Sequence, residues 1–162
     1  GARSINNQMQ SIYKSLLDQD INITWQCGAL YYDKLKTEIT EHTNLEITDF
    51  ISDMPAAYYK ADIIISRAGA GTISELCIVG KPVILIPSPN VAEDHQTKNA
   101  NAISDKNAAI ALPEKEIGKL ETLLLDLFKD KTKRQELSKN IKRLAKPNAT
   151  KDIVNEIISG LE

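Results

Sequence analysis

Hydrophobic residues follow two different spacings along the chain. Near the amino terminus, apolar residues recur every three to four positions, which predicts a helix over residues 4–19. Residues 21–25 instead alternate between apolar and polar side chains and are rich in β-branched residues, as in a strand. Residues 63–65 and 83–86 are continuously apolar, which is typical of strands buried on both faces of a parallel sheet.

Regular alternation of strands with helices predicts one α/β domain over residues 1–162, built on a doubly wound, Rossmann-like parallel sheet. The strands are expected at residues 21–25, 45–49, 63–65, 83–86 and 108–112. The helices are expected at residues 4–19, 31–41, 55–60, 72–80 and 94–105, and then at three apolar repeats between Ile117 and Leu127, between Leu137 and Leu144, and between Ile153 and Leu161. Ligands of such sheets bind beyond the carboxyl ends of the strands, which selects the loops at 50–54, 67–71 and 87–93.

The segment from Ser66 to Glu75 contains a turn of small residues that leads straight from a strand into a helix. Small residues also serve any tight turn of this kind. The helix start presents backbone N–H groups and the positive end of the helix dipole, which suit a phosphate or diphosphate. Two interpretations of its polar residues remain open. Either Thr72 is the N-cap residue and Glu75 reaches back to it in a capping box, or Glu75 accepts hydrogen bonds from ribose hydroxyls.

A second polar segment follows the fourth predicted strand, where two prolines precede a helix. Asn90 or Asp94 is suited to cap that helix, and a lone histidine at a helix start more often belongs to a surface cap than to a catalytic site. His95 and Asn99 nevertheless share a helix face because they are four residues apart, and Gln96 lies beside them. Imidazole and amide groups suit sugar hydroxyls, so this helix start is a candidate sugar site.

Charge and composition exclude several other classes of protein. The chain has 20 basic and 22 acidic residues, so its formal net charge of −2 gives no general attraction to nucleic acid. No apolar run reaches the roughly 18–20 residues needed to span a bilayer. Cys27 and Cys77 are expected to be reduced core thiols. The basic stretch at residues 129–146 either forms a solvated helix face or attracts anionic lipid weakly.

These segments resemble the carboxyl-terminal domain of the MurG family, the UDP-GlcNAc:lipid I GlcNAc transferases of bacterial peptidoglycan synthesis. The resemblance rests on Gly-Ala-Arg-Ser-Ile-Asn at 1–6, Phe-Ile-Ser-Asp-Met at 50–54, Ser-Arg-Ala-Gly-Ala-Gly-Thr-Ile-Ser-Glu at 66–75, Gly-Lys-Pro-Val-Ile-Leu-Ile-Pro at 80–87 and Asp-His-Gln-Thr-Lys-Asn-Ala at 94–100. It implies the carboxyl-terminal half of a GT-B glycosyltransferase, in which one Rossmann-like domain holds the donor UDP-GlcNAc and the other holds the lipid-linked acceptor. The full enzyme is then expected to be inverting: the C4 hydroxyl of MurNAc in lipid I attacks the anomeric carbon of GlcNAc while UDP leaves, which forms lipid II.

The resemblance also implies roles for individual residues. The implied donor-binding residues are Ile51 and Met54 at the uracil, Glu75 at the ribose, Ala70, Gly71 and Thr72 at the diphosphate, His95, Gln96 and Asn99 at the phosphate and GlcNAc, and Arg67 lining the same pocket. No metal-binding residue and no tightly bound cofactor are implied, with Mg²⁺ from solution as an optional aid. The family's general base lies in its amino-terminal domain, so we expect no catalytic residue in this chain and no sugar transfer by this chain alone.

The family's Gly-Gly-Ser-x-Gly-Ala turn is represented here only by Gly1 and Ala2. We therefore expect a first strand and the acceptor domain, which binds lipid I, to lie upstream. The resemblance implies a cytoplasmic protein on the inner face of the bacterial inner membrane, with no nucleic-acid partner. Three alternatives remain: a separate donor-binding subunit completed by a membrane partner, a domain similar to UDP-GlcNAc 2-epimerase, and a generic phosphate-binding α/β domain.

Overall fold

The protein, seen here in a computed structural model that describes residues 2–89 and 94–159, folds as alternating strands and helices. The helices are α1 (Arg3–Leu17), α2 (Ala29–Glu38), α3 (Met54–Lys60), α4 (Ala70–Val79), α5 (His95–Ser104), α6 (Leu120–Lys129), α7 (Lys131–Lys142) and α8 (Ala149–Ser159), with a 3-10 helix at Glu114–Lys119. The strands are β1 (Ile23–Gln26), β2 (Leu45–Thr48), β3 (Ile64–Ser66), β4 (Val83–Leu85) and β5 (Ile110–Ala111). The predicted type and order of the elements are confirmed, and the differences concern their ends.

The start of α4 corrects one prediction. This helix begins at Ala70 with Gly69 as its N-cap, and no side chain caps its first amides. Gly69 has the extended dihedral angles of an N-cap residue (φ −68°, ψ 146°), and the small residues that follow it enter the helix at once. Thr72 therefore lies within the first turn, and the predicted capping box between Thr72 and Glu75 is wrong.

All strand pairs in the described residues are parallel, but they form two portions of sheet. One portion pairs β1 with β2, and the other has the order β3-β4-β5. The N–H of Ile23 donates to Asn44 on the β2 side, and that of Ile64 donates to Pro82 on the β4 side. Because successive peptide groups of a strand point to opposite sides, the next N–H group along β1 points away from β2, and the next one along β3 points away from β4.

Both portions of sheet pack into the same hydrophobic core. One buried cluster combines Met9 and Leu16 of α1 with Trp25 of β1 and Ile84 of β4. A second cluster contains Leu85 together with side chains of α4, α5 and α7, among them Leu76, Cys77, Ala100 and Ile141. Since alternate residues of β4 contribute to different clusters, this strand is buried on both faces, as its continuous apolar run predicts. The loop that follows β4 therefore starts from a rigid base.

Asn6 is a buried polar residue that fastens α1 to β1. Its side chain is only 3% exposed. Trp25 Nε1 donates to Asn6 Oδ1 at 3.0 Å, and Asn6 Nδ2 donates to the carbonyl oxygen of Cys27 at 2.9 Å. The amide thus satisfies two polar groups that burial would otherwise leave unpaired. This contact fixes the amino-terminal part of α1 near the carboxyl end of β1.

Both cysteines are free and buried, as predicted for core thiols. Burial raises the pKa of the Cys27 thiol and of the Cys77 thiol, so both are held in the protonated form.

Among the helices of the described ranges, none combines the length and the apolar character needed to cross a membrane.

Candidate functional site

The start of α4 is the centre of the candidate site because its backbone N–H groups are available. The first intrahelical bond runs from Ile73 N–H to the carbonyl oxygen of Gly69. The amides of Ala70, Gly71 and Thr72 precede that bond, so they have no acceptor within the helix. Ala70 and Gly71 are exposed to solvent, and a Cβ atom on Gly71 would meet nothing within 4 Å. An open helix start of this kind is suited to an anion.

Glu75 lies one turn further along α4, where it approaches α3. Burial, the negative charge of Glu75 and a hydrogen bond to its carboxylate raise the pKa of Tyr58 above its ordinary value of 10.0. The Tyr58 hydroxyl therefore stays protonated beside the Glu75 carboxylate. Glu75 itself is exposed, and a carboxylate has further lone pairs that can accept from ligand hydroxyls.

The predicted 50–54 loop is held by two side chains close to it. The N–H of Ile51 donates to Gln26 Oε1 at 2.9 Å, and the N–H of Ala56 donates to Asp53 Oδ1 at 3.0 Å, which caps α3. Met54 is the first residue of that helix. The loop is therefore attached to the end of β1 on one side, while α3 carries Tyr58 to Glu75 on the other.

Arg67, predicted to shape or line the pocket, is surrounded by protein groups. Its Nη1 donates to the carbonyl oxygens of Ile86 at 3.1 Å and of Pro87 at 3.2 Å. Its Nη2 donates to Ser4 Oγ at 2.9 Å, and the guanidinium pairs with the carboxylate of Glu114. The side chain therefore joins the loop after β3 to the loop after β4 and holds the two loops together.

Two of the predicted sugar-binding amides also brace these loops. The N–H of Ser88 donates to Gln96 Oε1 at 2.9 Å, and Asn99 Nδ2 donates to the carbonyl oxygen of Ala68 at 3.1 Å. Both residues thus lie at the predicted edge, and each uses one half of its amide to fix a loop. His95 is exposed at the first turn of α5.

Asp94 occupies the N-cap position of α5, one of the two positions predicted for a cap. It has a positive φ of 52°, and its side chain makes no capping bond. Instead, Asp94 Oδ1 accepts a hydrogen bond from Thr97 Oγ1 at 2.6 Å. The alternative cap, Asn90, lies outside the described residues, as does most of the loop predicted at 87–93.

Several residues of this region were given no role by the sequence: Gln26, Tyr58 and Glu114 lie outside the quoted motifs, and Ser4 lies within the motif at 1–6 without an assigned role. Ser4, Gln26, Tyr58 and Glu114 all support the loops, but their partners are remote along the chain. Ser4 and Glu114, for example, are separated by 110 positions. Ser4, Gln26 and Glu114 adjoin the ends of predicted elements, which is the signal that the sequence offers, whereas Tyr58 lies within the predicted helix at 55–60.

The parallel strands, with the candidate loops beyond their carboxyl ends, define a Rossmann-like α/β domain. Residues 1–156 match the family model of the glycosyltransferase family 28 C-terminal domain. The chain therefore belongs to that family, and the predicted class, the carboxyl-terminal half of a GT-B glycosyltransferase, is confirmed.

Similar proteins carry more specific names. Over its whole length, the chain is 53% identical to a UDP-N-acetylglucosamine--N-acetylmuramyl-(pentapeptide) pyrophosphoryl-undecaprenol N-acetylglucosamine transferase of Flavobacterium psychrophilum. The match covers 44% of that relative. The chain is 48% identical to the protein of that name from Bacteroides thetaiotaomicron, with 98% of this chain and 44% of the relative covered. The crystal structure of Acinetobacter baumannii MurG superposes with a TM-score of 0.81 at 29% identity, over 98% of this chain and 47% of that one. The chain thus spans less than half the length of these relatives, and the resemblance to the MurG family is confirmed.

Proposed function

We propose that this chain is the donor-binding domain of an inverting transferase that moves GlcNAc from UDP-GlcNAc to the C4 hydroxyl of MurNAc in lipid I, forming lipid II. The observation that carries this proposal is the uncapped start of α4, followed at once by the exposed carboxylate of Glu75. The names of the relatives supply the identity of the donor and acceptor. The family match also favours a transferase over the epimerase and over a generic phosphate-binding domain.

We assign the diphosphate of the donor to the amides of Ala70, Gly71 and Thr72. Negative charge develops on the diphosphate as the bond to GlcNAc breaks, and a helix start that already points at it needs no rearrangement to stabilise that charge. Glu75 is then placed to accept from the ribose hydroxyls, as acidic residues do in sites of this architecture. The α4 start therefore serves both binding and departure of UDP.

The loops on either side receive the two ends of the donor. We assign the uracil to Ile51 and Met54, on the loop held by Gln26. We assign the sugar and its phosphate to α5, through His95, through Gln96 Nε2 and through Asn99 Oδ1. These two amide atoms are the halves that do not take part in the bonds to Ser88 and Ala68.

The remaining functions of the enzyme are assigned to the part of a longer protein outside this chain. We propose that it binds lipid I, supplies the general base and contacts the cytoplasmic face of the inner membrane. We propose no tightly bound cofactor, and Mg²⁺ from solution acts only by screening the diphosphate. A separate donor-binding subunit that needs a membrane partner is the alternative arrangement of the same chemistry.

Replacing Glu75 by Gln in the longer protein tests the proposal. Loss of a hydrogen bond to a charged group costs about 1.5–3 kcal/mol. We therefore expect KM for UDP-GlcNAc to rise roughly ten- to hundredfold in a transfer assay with lipid I. The melting temperature should change little, because Glu75 is exposed and does not cap its helix.

Glu41→Gln is the matched control. Glu41 is also exposed, but it precedes β2 and so lies at the opposite edge of the sheet. This variant should keep the wild-type KM. A Glu75→Gln protein with wild-type KM, or one that loses stability and activity in parallel, would contradict the assignment of the ribose to Glu75.

A further inference from the structure

A partly buried charged cluster lies behind the candidate donor site. Arg67 follows β3 and pairs with Glu114, the first residue of the 3-10 helix after β5. Their side chains are only 24% and 23% exposed. Ser4 completes the cluster, since its Oγ accepts from Arg67 Nη2 at 2.9 Å and donates to Glu114 Oε2 at 2.7 Å.

The cluster joins four segments that are far apart in the sequence. Ser4 belongs to the first turn of α1, and Glu114 to the segment after β5. Arg67 adds the loop after β3 and, through the carbonyl oxygens of Ile86 and Pro87, the loop after β4. The loop after β3 leads directly into α4 and is attached to Asn99, and the loop after β4 is attached to Gln96. The distance between them therefore depends on where the Arg67 guanidinium is held.

We infer that Glu114 is a positioning residue for donor binding, which acts on the site only through Arg67; this rests on the proposed function. Glu114 balances the charge of the guanidinium and holds it where Nη1 reaches both carbonyl oxygens. Without that carboxylate, the guanidinium is no longer held at this position, and it releases the carbonyl oxygens of the loop after β4, so the two loops of the site are no longer joined. Glu114 thus sets the position of Arg67.

The chain offers a matched control on the same short helix. Glu116 lies two residues further along and pairs with Lys119, but its partner belongs to the same helix and no loop of the site is attached to it. Replacement of Glu116 by Gln removes the same charge from the same segment. Any effect of net charge or of helix stability alone is therefore common to both variants.

The test measures UDP-GlcNAc binding and steady-state kinetics of the longer protein with Glu114→Gln and Glu116→Gln. We expect Glu114→Gln to raise KM and Kd for UDP-GlcNAc at least fivefold, while kcat stays within about threefold and KM for lipid I is unchanged. Glu116→Gln should match the wild type. A purely structural role would instead lower the melting temperature and the active fraction, and so reduce kcat without moving KM.

A double-mutant cycle tests the path of the effect. In an Arg67→Gln background, Glu114→Gln should change Kd for UDP-GlcNAc by less than twofold, because its only route to the site is already removed. Ser4→Ala provides a second, uncharged disturbance of the same cluster, and a smaller rise in Kd is expected. It keeps the inference testable if Glu114→Gln fails to fold.

The outcomes separate this inference from the proposed function. A wild-type protein that binds no UDP-GlcNAc overturns both. If the wild type binds and transfers but Glu114→Gln behaves as Glu116→Gln does, or if the effects of Arg67→Gln and Glu114→Gln on Kd simply multiply, the positioning role of Glu114 is overturned and the proposed function stands.

Discussion

At the scale of single residues, polar side chains of the candidate site do two kinds of work. Gln96 and Asn99 each hold a neighbouring loop with one half of the amide, which leaves the other half as the group assigned to the donor. Arg67 is occupied more completely, by carbonyl oxygens, a hydroxyl and a carboxylate. The chemistry of a side chain therefore indicated a candidate edge of the sheet, but it did not indicate whether that side chain holds a neighbouring loop.

Asn6 illustrates a residue whose role is purely structural. Its replacement by Ala leaves the indole N–H of Trp25 and the carbonyl oxygen of Cys27 without their partners inside the protein. An unpaired buried polar group costs about 1–3 kcal/mol, so we expect Asn6→Ala to lower the free energy of unfolding by about 2–4 kcal/mol. Urea denaturation measures this value.

The adjacent residue provides the comparison for that experiment. Asn7 is exposed on the same helix, so Asn7→Ala removes the same chemical group and should change stability by less than about 0.5 kcal/mol. Equal losses of stability in the two variants would show that the buried hydrogen bonds of Asn6 contribute nothing specific.

At the scale of secondary-structure elements, local patterns predicted what a segment becomes better than they predicted where it starts. The apolar spacing along α1 and the continuous run of β4 depend on burial, which the sequence records directly. The start of α4 depends on a choice between Gly69 and Thr72 as N-cap, and both suit that position. The geometry of the turn after β3 decided for Gly69, and contacts such as Ser4 with Glu114 involve segments too distant for any local pattern to show.

The contact between α3 and α4 gives a prediction about pH. Because burial and Glu75 raise the pKa of Tyr58, the native protein holds this proton more tightly than the unfolded chain does. Its contribution to stability is complete below pH 10.0, the ordinary value, and is lost as the pH rises through the raised pKa. We expect the ultraviolet absorbance of tyrosinate to show a late-titrating group that disappears in Tyr58→Phe.

Two further variants check that assignment. Tyr59 is 84% exposed on the same helix, so Tyr59→Phe should leave the late-titrating group in place. Glu75→Gln should shift that group to lower pH, because the negative charge that opposes ionisation is gone. A late-titrating group that is insensitive to Glu75 would mean that the two side chains do not interact.

At the scale of the whole molecule, the two portions of sheet share one core, but within residues 2–89 and 94–159 no strand of one portion pairs with a strand of the other. The hydrogen bonds of Ile23 and Ile64 show that Thr24 and Gln26 of β1 and Ile65 of β3 direct their N–H groups to the unpaired edges. Edges of this kind are suited to pairing with a further parallel strand. The first strand that the sequence resemblance implies would pair with the free edge of β1 and with that of β3.

Hydrogen exchange distinguishes paired from unpaired amides in that arrangement. In this chain alone, the amides of Thr24, Gln26 and Ile65 should exchange much faster than those of Ile23 and Ile64, which already have acceptors. In a protein of the relatives' length, a strand inserted between β1 and β3 would protect the first three as strongly as the other two. Similar exchange of Thr24, Gln26 and Ile65 in both proteins would mean that no strand fills this position, and that the two portions of sheet are held together by side-chain packing alone.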